Sequence, residues 1–321
     1  MTKIEYIAIP NIPIVNIGDD ISQIIVNNCK ENNIQICDGD IIVIAQKIVS
    51  ISENAIVDLN HIAPSEKAIE ISKLTGRSPE ECQVFLDEST EILEISGRHV
   101  VTRHKNGYVC TSAGVDKSNV SHKKNRLVTL LPKNPDDSAQ KIRLAIKKML
   151  DVDIAVIIND TMGKPYRRGA ISESIGIAGI KALEEKDSQD LFGNPSKSQV
   201  ALVDEIAAAS AILMGESDEQ NPIVLVKGVQ YTRVENTSIH DLLKWFYYIK
   251  LNRDFIMKSQ TVDKVYKNIL FNSLLFIKIL INLNFYLFSY NKTINNGYYP
   301  ITFCSFNDIF FIFWAAQISQ V

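Results

Sequence analysis

The chain has 321 residues, 46% hydrophobic and 22% charged, which is the make-up of a folded protein with one large or two ordinary domains. Its formal net charge of -3 gives no broad basic field, so no nucleic-acid partner is expected and a small-molecule partner is. The five cysteines, Cys29, Cys37, Cys82, Cys110 and Cys304, form no C-x-x-C pair. That argues against a zinc cage or a disulfide framework and for reduced, buried thiols in the cytosol.

The opening MTKIEYIAIPNIPIV puts a glutamate and two prolines where a signal peptide needs an unbroken apolar run, so the body is expected to be cytoplasmic and not secreted. IIVIAQ (41–46), after Asp38-Gly39-Asp40, reads as a strand entered from a turn. Ser78-Pro79-Glu80-Glu81 supplies a serine N-cap, a proline at the first helical position and a glutamate at the third, a capping box ahead of Val84, Phe85 and Leu86. Asp137 and Ser138 are expected to open a helix whose apolar face is Ile142, Ala145, Ile146, Met149 and Leu150.

The run IAVII then predicts a buried strand, VDEIAAASAILMG a helix closed by Gly215, and PIVLVKG (222–228) another strand. The fold class is α+β, a mixed α/β chain without internal repeats. Past residue 254 the composition shifts to Phe, Ile, Leu, Asn and Tyr without Glu. Residues 1–253 are therefore taken as one domain and 254–321 as an atypical apolar tail. That tail reads as a membrane anchor, a packed extension or an extension without function; membrane contact is not favoured, because asparagines interrupt its long apolar run.

Chemistry concentrates after the strand IAVII. Asp160 and Thr161 follow it, with Lys164, Arg167 and Arg168 close behind, and Asp116 ends the segment YVCTSAGVD. Carboxylates and a hydroxyl at strand ends suit Mg²⁺, which takes one or two carboxylates plus substrate phosphates; a capped turn is the competing reading of the same residues. No Walker A, G-x-G-x-x-G, HExxH or G-x-S-x-G pattern occurs, which removes P-loop NTPases, zincins and nucleophile-elbow hydrolases. Gly176-Ile177-Ala178-Gly179 is read as permitting close packing of a helix.

With DTMGKPYRRGAISESIGIAG (160–179), AGVDKSNV (113–120), GDIIVIAQKIVS (39–50), IPIVNIGDD, LLPKNPDDSA and VDEIAAASAILMGE in order, the chain resembles the coenzyme F420-0:L-glutamate ligase family, the γ-glutamyl ligases. The resemblance implies an intertwined homodimer. It also implies a GTP-dependent reaction that joins L-glutamate to F420-0 and extends it by γ-linkage through an acyl phosphate, releasing GDP and phosphate. It assigns two Mg²⁺ or Mn²⁺ sites, with K⁺ assisting, to Asp116, Asp160, Thr161 and Glu216. Nucleotide contacts fall on Pro10, Asn11, Ile12, Pro13, Gln46, Lys47, Asn119 and Glu216, and catalytic roles on Asp160, Arg167 and Arg168.

Three positions depart from the family pattern: Ile51 stands for Lys, Ser112 for Asn, and Asn11 for Gly. A cation for the phosphates would then come from Lys47, expected one strand-turn before Ile51. The alternatives to an active ligase are a non-catalytic binder of GTP or the F420 precursor, and a membrane-tethered ligase.

Overall fold

The computed structural model of the chain describes residues 3–120, 126–163 and 168–243. In chain order the strands and helices are β1 (Glu5–Ala8), α1 (Ile21–Glu31), β2 (Ile41–Ala45), α2 (Gln46–Ser52), β3 (Ile56–Asp58), α3 (Glu66–Thr75), α4 (Pro79–Asp87), β4 (Ser89–Ser96), β5 (His99–His104) and β6 (Val109–Thr111). They continue with β7 (Leu127–Thr129), α5 (Pro135–Leu150), β8 (Ala155–Gly163), β9 (Ala170–Ala178), β10 (Glu184–Gln189), β11 (Pro195–Val200), α6 (Leu202–Met214), β12 (Ile223–Lys227) and α7 (His240–Leu243). The mixed α+β class is as expected. The tail from 254 onward lies outside the described residues; among those described, no helix is long and apolar enough to cross a membrane.

The main sheet has the order β1-β12-β2-β8-β9. The stretches Ile41–Ile44, Ala155–Ile158 and Ile223–Val226 are buried without alternation, because helices cover both faces. β12 is antiparallel to β1 and to β2, whereas β2 and β8 are parallel. β1, β2 and β8 therefore run the same way, and their carboxyl ends meet the entry to β12 at one end of the sheet.

The strand expected to stop at IAVII runs on to Gly163, because β9 pairs with it the whole way, Asp160 facing Glu173 and Thr161 facing Ser172. Asp160 and Thr161 are strand residues, not exit residues. The register shifts once: Ile158 pairs with Gly176 but Asn159 pairs with Ser174, leaving Ile175 as a bulge. A bulge re-aims the side chains on either side of it. Ser174 points to α6, where its N–H and hydroxyl both donate to Asp204; Gly176 faces the start of α5.

α5 begins a turn earlier than expected. Asn134 caps it, accepting from the Asp137 N–H at 3.3 Å, and Pro135 takes the first position. Ile142 and Ile146 are buried, but Met149 and Leu150 near its end are exposed, and Ala139 and Arg143 complete the buried face. Buried Arg143 donates to Glu235 at 2.8 and 2.9 Å, to Asp153 at 2.6 Å and to the Ile154 carbonyl at 2.9 Å. These bonds fix α5 to the start of β8 and to the chain beyond β12. The capping box at Ser78 forms as read, with bonds of 3.1 and 3.3 Å to and from Glu81.

Gly176 lets the first turn of α5 touch the sheet: a Cβ there would lie 2.5 Å from the carbonyl carbon and oxygen of Pro135. Gly176→Ala is expected to destabilise the protein by about 1–3 kcal/mol through overpacking, read as a lower urea midpoint. Gly163→Ala, where nothing among the described residues lies within 4 Å, should leave the midpoint unchanged.

Candidate active site

Three connections meet at the shared end of the main sheet. Pro10, Asn11, Ile12 and Pro13 follow β1, Gln46 and Lys47 open α2 directly after β2, and Glu216 and Ser217 follow α6 on the way into β12. Asp160 and Thr161 lie in the last turns of the β8 pleat, and strand alternation sends them to opposite faces. Thr161 meets α6's exit, its Oγ1 3.1 Å from Glu216 Oε1. Asp160 faces the β6 side of the sheet.

Asp116 arrives from outside the sheet. After β6 the chain makes a left-handed turn through Ser112, Ala113 and Gly114, at φ 54, 53 and 66°, and Asp116 then bridges Thr129 in β7. Left-handed backbone at Ser and Ala costs of order 1 kcal/mol per residue. The departure Ser112-for-Asn falls where Asn would tolerate the geometry better, and Asn11-for-Gly, at φ 60°, falls where Gly would. The Ala113 N–H donates to Thr102 Oγ1 at 3.0 Å, which holds the turn against β5.

The Asp116 carboxylate accepts from Lys47 Nζ at 2.5 Å and from the Ser118 N–H and hydroxyl, both at 2.8 Å. Its pKa is pulled down: burial alone would raise it, but Lys47 and Ser118 outweigh that. Asp160 behaves oppositely. Burial, with the charges of Asp116 and Glu216 added, pushes it up to about 7 despite the Thr161 N–H and Lys47. Burial and the Asp160 charge push the nearby Cys110 thiol up to about 12, so this cysteine stays protonated and offers no nucleophile.

Asn119 reaches across to the same cluster, Nδ2 donating to the Ser217 carbonyl at 3.1 Å. Gln46 is buried, its Oε1 accepting from Ser50 at 2.8 Å, so its side chain is turned into α2. Arg168 is exposed beside the foot of β9; Lys164 and Arg167 lie outside the described residues. Lys47 and Ile51 are one helical turn apart on α2, not one strand-turn, and Ile51 packs half-buried on the main core.

The oxygen donors Asp116, Asp160, Thr161 and Glu216 suit a hard divalent cation, and a cation would offset the burial and the neighbouring charges that raise the Asp160 pKa. Among the described residues, no three acidic, histidine or cysteine side chains draw close enough to enclose an ion. Sequence reasoning missed the Lys47–Asp116 pair and Ser118. Asp116-Lys117-Ser118 is a turn signal that could have shown the latter.

Acids, a hydroxyl and an ammonium are thus gathered at the carboxyl ends of strands in an α+β fold. Residues 10–228 match the model of the F420-0:Gamma-glutamyl ligase family, and the chain belongs to that family. It is similar to proteins named Coenzyme F420:L-glutamate ligase: 44% identical to that of Methanocaldococcus jannaschii over 60% of this chain and 76% of the relative. It is 39% identical to that of Methanothermobacter thermautotrophicus over 70% and 89%, and 35% identical to that of Methanosarcina mazei over 74% and 91%. The matched span contains every candidate site residue.

Between the ordinary carboxylate range and about pH 7, the unfolded chain ionises Asp160 while the folded chain keeps its proton. Stability is therefore lost as pH rises through that window. Asp160→Asn should melt at a higher temperature than wild type in metal-free buffer near pH 8 and at the same temperature near pH 4. The variant should also lose any rise in Tm that Mg²⁺ gives the wild type. Equal melting of the two proteins at the higher pH would contradict the assigned environment.

Proposed function

We propose that the protein is a GTP-dependent ligase that joins L-glutamate through its α-amine to a carboxylate of F420-0 and then extends the product by γ-linkage. The observation that carries this reading is the meeting of Lys47, Asp116, Asp160 and Glu216 at one end of the sheet, inside the span matched by the family. A carboxylate is a poor acylating agent. Transfer of the γ-phosphoryl group of GTP to it gives an acyl phosphate and GDP; the neutral amine of glutamate then forms the amide and releases phosphate.

Asp116, Asp160, Thr161 and Glu216 would hold Mg²⁺ or Mn²⁺ at two sites, with K⁺ assisting, and that metal would neutralise charge on the transferring phosphoryl group. Lys47 places an ammonium beside Asp116 for the nucleotide phosphates, while Arg167 and Arg168 are assigned to the charge that develops in transfer. The loop Pro10–Pro13 and Asn119 border the nucleotide, and Gln46 acts by seating the start of α2. The protonated Cys110 agrees with a route that needs no covalent enzyme nucleophile.

A homodimer in the cytoplasm completes the reading. The hairpin β10–β11 is exposed along nearly its whole length and ends in Leu191 and Phe192, 98% and 90% exposed. Apolar side chains at the tip of an unsupported arm suit a second copy of the chain.

Purified protein with GTP, Mn²⁺, F420-0 and glutamate should give a product heavier by one or more glutamyl units in a mass spectrum. Asp160→Asn and Asp116→Asn should each lower kcat about a hundredfold or more with the fold kept. Near-wild-type turnover by either at limiting Mg²⁺ would remove the metal assignment, and a wild type that binds GTP without making product would favour a non-catalytic binder. A chain ending at Arg253 should be soluble, dimeric and as active as the full chain, since the family match ends at residue 228. Loss of activity or of the dimer on truncation would show that the tail packs on the body.

A further inference from the structure

In the turn Asp116-Lys117-Ser118-Asn119, three of the four side chains belong to the carboxylate cluster: Asp116 and Ser118 meet Lys47, and Asn119 meets the Ser217 carbonyl. Lys117 goes the other way. Its ammonium lies 2.7 Å from Oε1 of Glu81, in the first turn of α4.

The partner is a buried one. The side chain of Glu81 is 5% exposed against 55% for Lys117, and a carboxylate taken out of water must have its charge met. Oε2 accepts from the Ser78 N–H at 3.1 Å, and Ser78 Oγ accepts in return from the Glu81 N–H. The capping box is therefore complete without Lys117. At Oε1 the Arg77 guanidinium stands at a long 3.5 Å, so Lys117 is the nearer of the two cations. Burial would raise the Glu81 pKa, but Lys117 and the Ser78 N–H hold it below the usual carboxylate range.

α4 is a fixed base for this contact. Its Cys82 and Phe85 pack with Ala68, Ile71 and Val100, its Val84 packs with Leu59 and Val128, and Val115, next to Asp116, lies against both groups. A second tie reaches the same turn of α4: Arg126, just ahead of β7, donates to Glu80 at 2.8 Å. Asp116 and Ser118 face the cluster while Lys117 between them faces α4, so the ion pair sets how far the turn can rotate. That rotation aims the Asp116 carboxylate, and metal-binding groups must be held within about 0.5 Å of their productive geometry. We propose that Glu81 is a positioning residue of the ligase, which acts through Lys117 to fix the turn that presents Asp116 to a divalent cation and Asn119 to the nucleotide. This inference rests on the metal and nucleotide assignments of the ligase reading.

The test uses the full chain with Lys117→Met, Lys117→Arg and Glu81→Gln, and Lys105→Gln as the control. Lys117→Met removes the ammonium and leaves both bonds of the capping box, and Glu81→Gln keeps a side chain that can cap. Lys105 is also 55% exposed and pairs at 3.2 Å with Glu88 at the other end of α4. Its loss shows what breaking a like pair does to the fold alone. The readouts are Mn²⁺ binding without nucleotide, followed by the spin resonance of the free ion, the KM of each substrate, and the urea midpoint. We expect Lys117→Met and Glu81→Gln each to raise the Kd for Mn²⁺ and the KM for GTP about tenfold, with the KM for glutamate within about twofold. The double variant should be no worse than either single one, because both remove the same contact. Lys117→Arg, which still bridges to Glu81, should restore both values, and Lys105→Gln should shift neither, whatever it does to the midpoint. A Kd unchanged in Lys117→Met, or raised equally in Lys105→Gln, overturns the proposal. A wild type that binds no Mn²⁺ removes the metal assignment and this proposal with it. A wild type that binds Mn²⁺ through this pair but never ligates refutes the ligase reading and leaves the role of Glu81 standing.

Discussion

Because Ile158 pairs with Gly176 while its neighbour Asn159 pairs with Ser174, Ile175 has no counterpart on β8, and its carbonyl is instead held by the Tyr108 hydroxyl. In an unbroken strand Ser174 and Gly176, two positions apart, would share a face, and α5 and α6 could not both dock on β9 as they do. With the bulge, Gly176 admits the first turn of α5 on one side and Ser174 anchors Asp204 of α6 on the other. α6 then delivers Glu216 to Thr161. Burial of Tyr108, which drives its own pKa upward, keeps the phenol a donor and so keeps the bulge closed.

Electrostatics at the site run against stability. Three carboxylates face one ammonium, and the protein tolerates this by leaving Asp160 protonated up to about neutral pH while securing Asp116 with Lys47 and Ser118. The two acids are driven apart in pKa by one environment, a pattern found where groups must serve different roles. A structural salt bridge would have needed only the Lys47–Asp116 half. The Asp160 half stabilises nothing in the metal-free fold, which is why its presence bears on function.

Local signals carried much of the fold. Ser78-Pro79-Glu80-Glu81 forms its capping box and Gly215 closes α6, because caps depend only on residues a few positions apart. Gly176 was legible as a packing glycine for a similar reason. The extension of β8 to Gly163 was not, since polar Asp160 and Thr161 stay in the strand only through pairing with β9. Nor could spacing show that Lys47 meets Asp116, 69 positions away. Asn134, not the expected Asp137, opens α5, because Pro135 takes the first helical position. Site chemistry could be read as residue types, but the partners belong to the topology.

Ile51 shows how the departures from the family pattern fit together. It lies one helical turn from Lys47 and packs on the main core, so a lysine there would have to run its stem across apolar surface and lift its ammonium clear. With isoleucine, α2 is better anchored, and Lys47 is the ammonium that α2 presents to the carboxylates. A divalent cation entering that cluster adds two positive charges and favours the ionised form of Asp160, so metal binding and loss of the Asp160 proton are coupled. The protein as it folds alone therefore carries one proton more than its binding state. On the reading proposed above, a metal ion together with nucleotide phosphates would displace that proton.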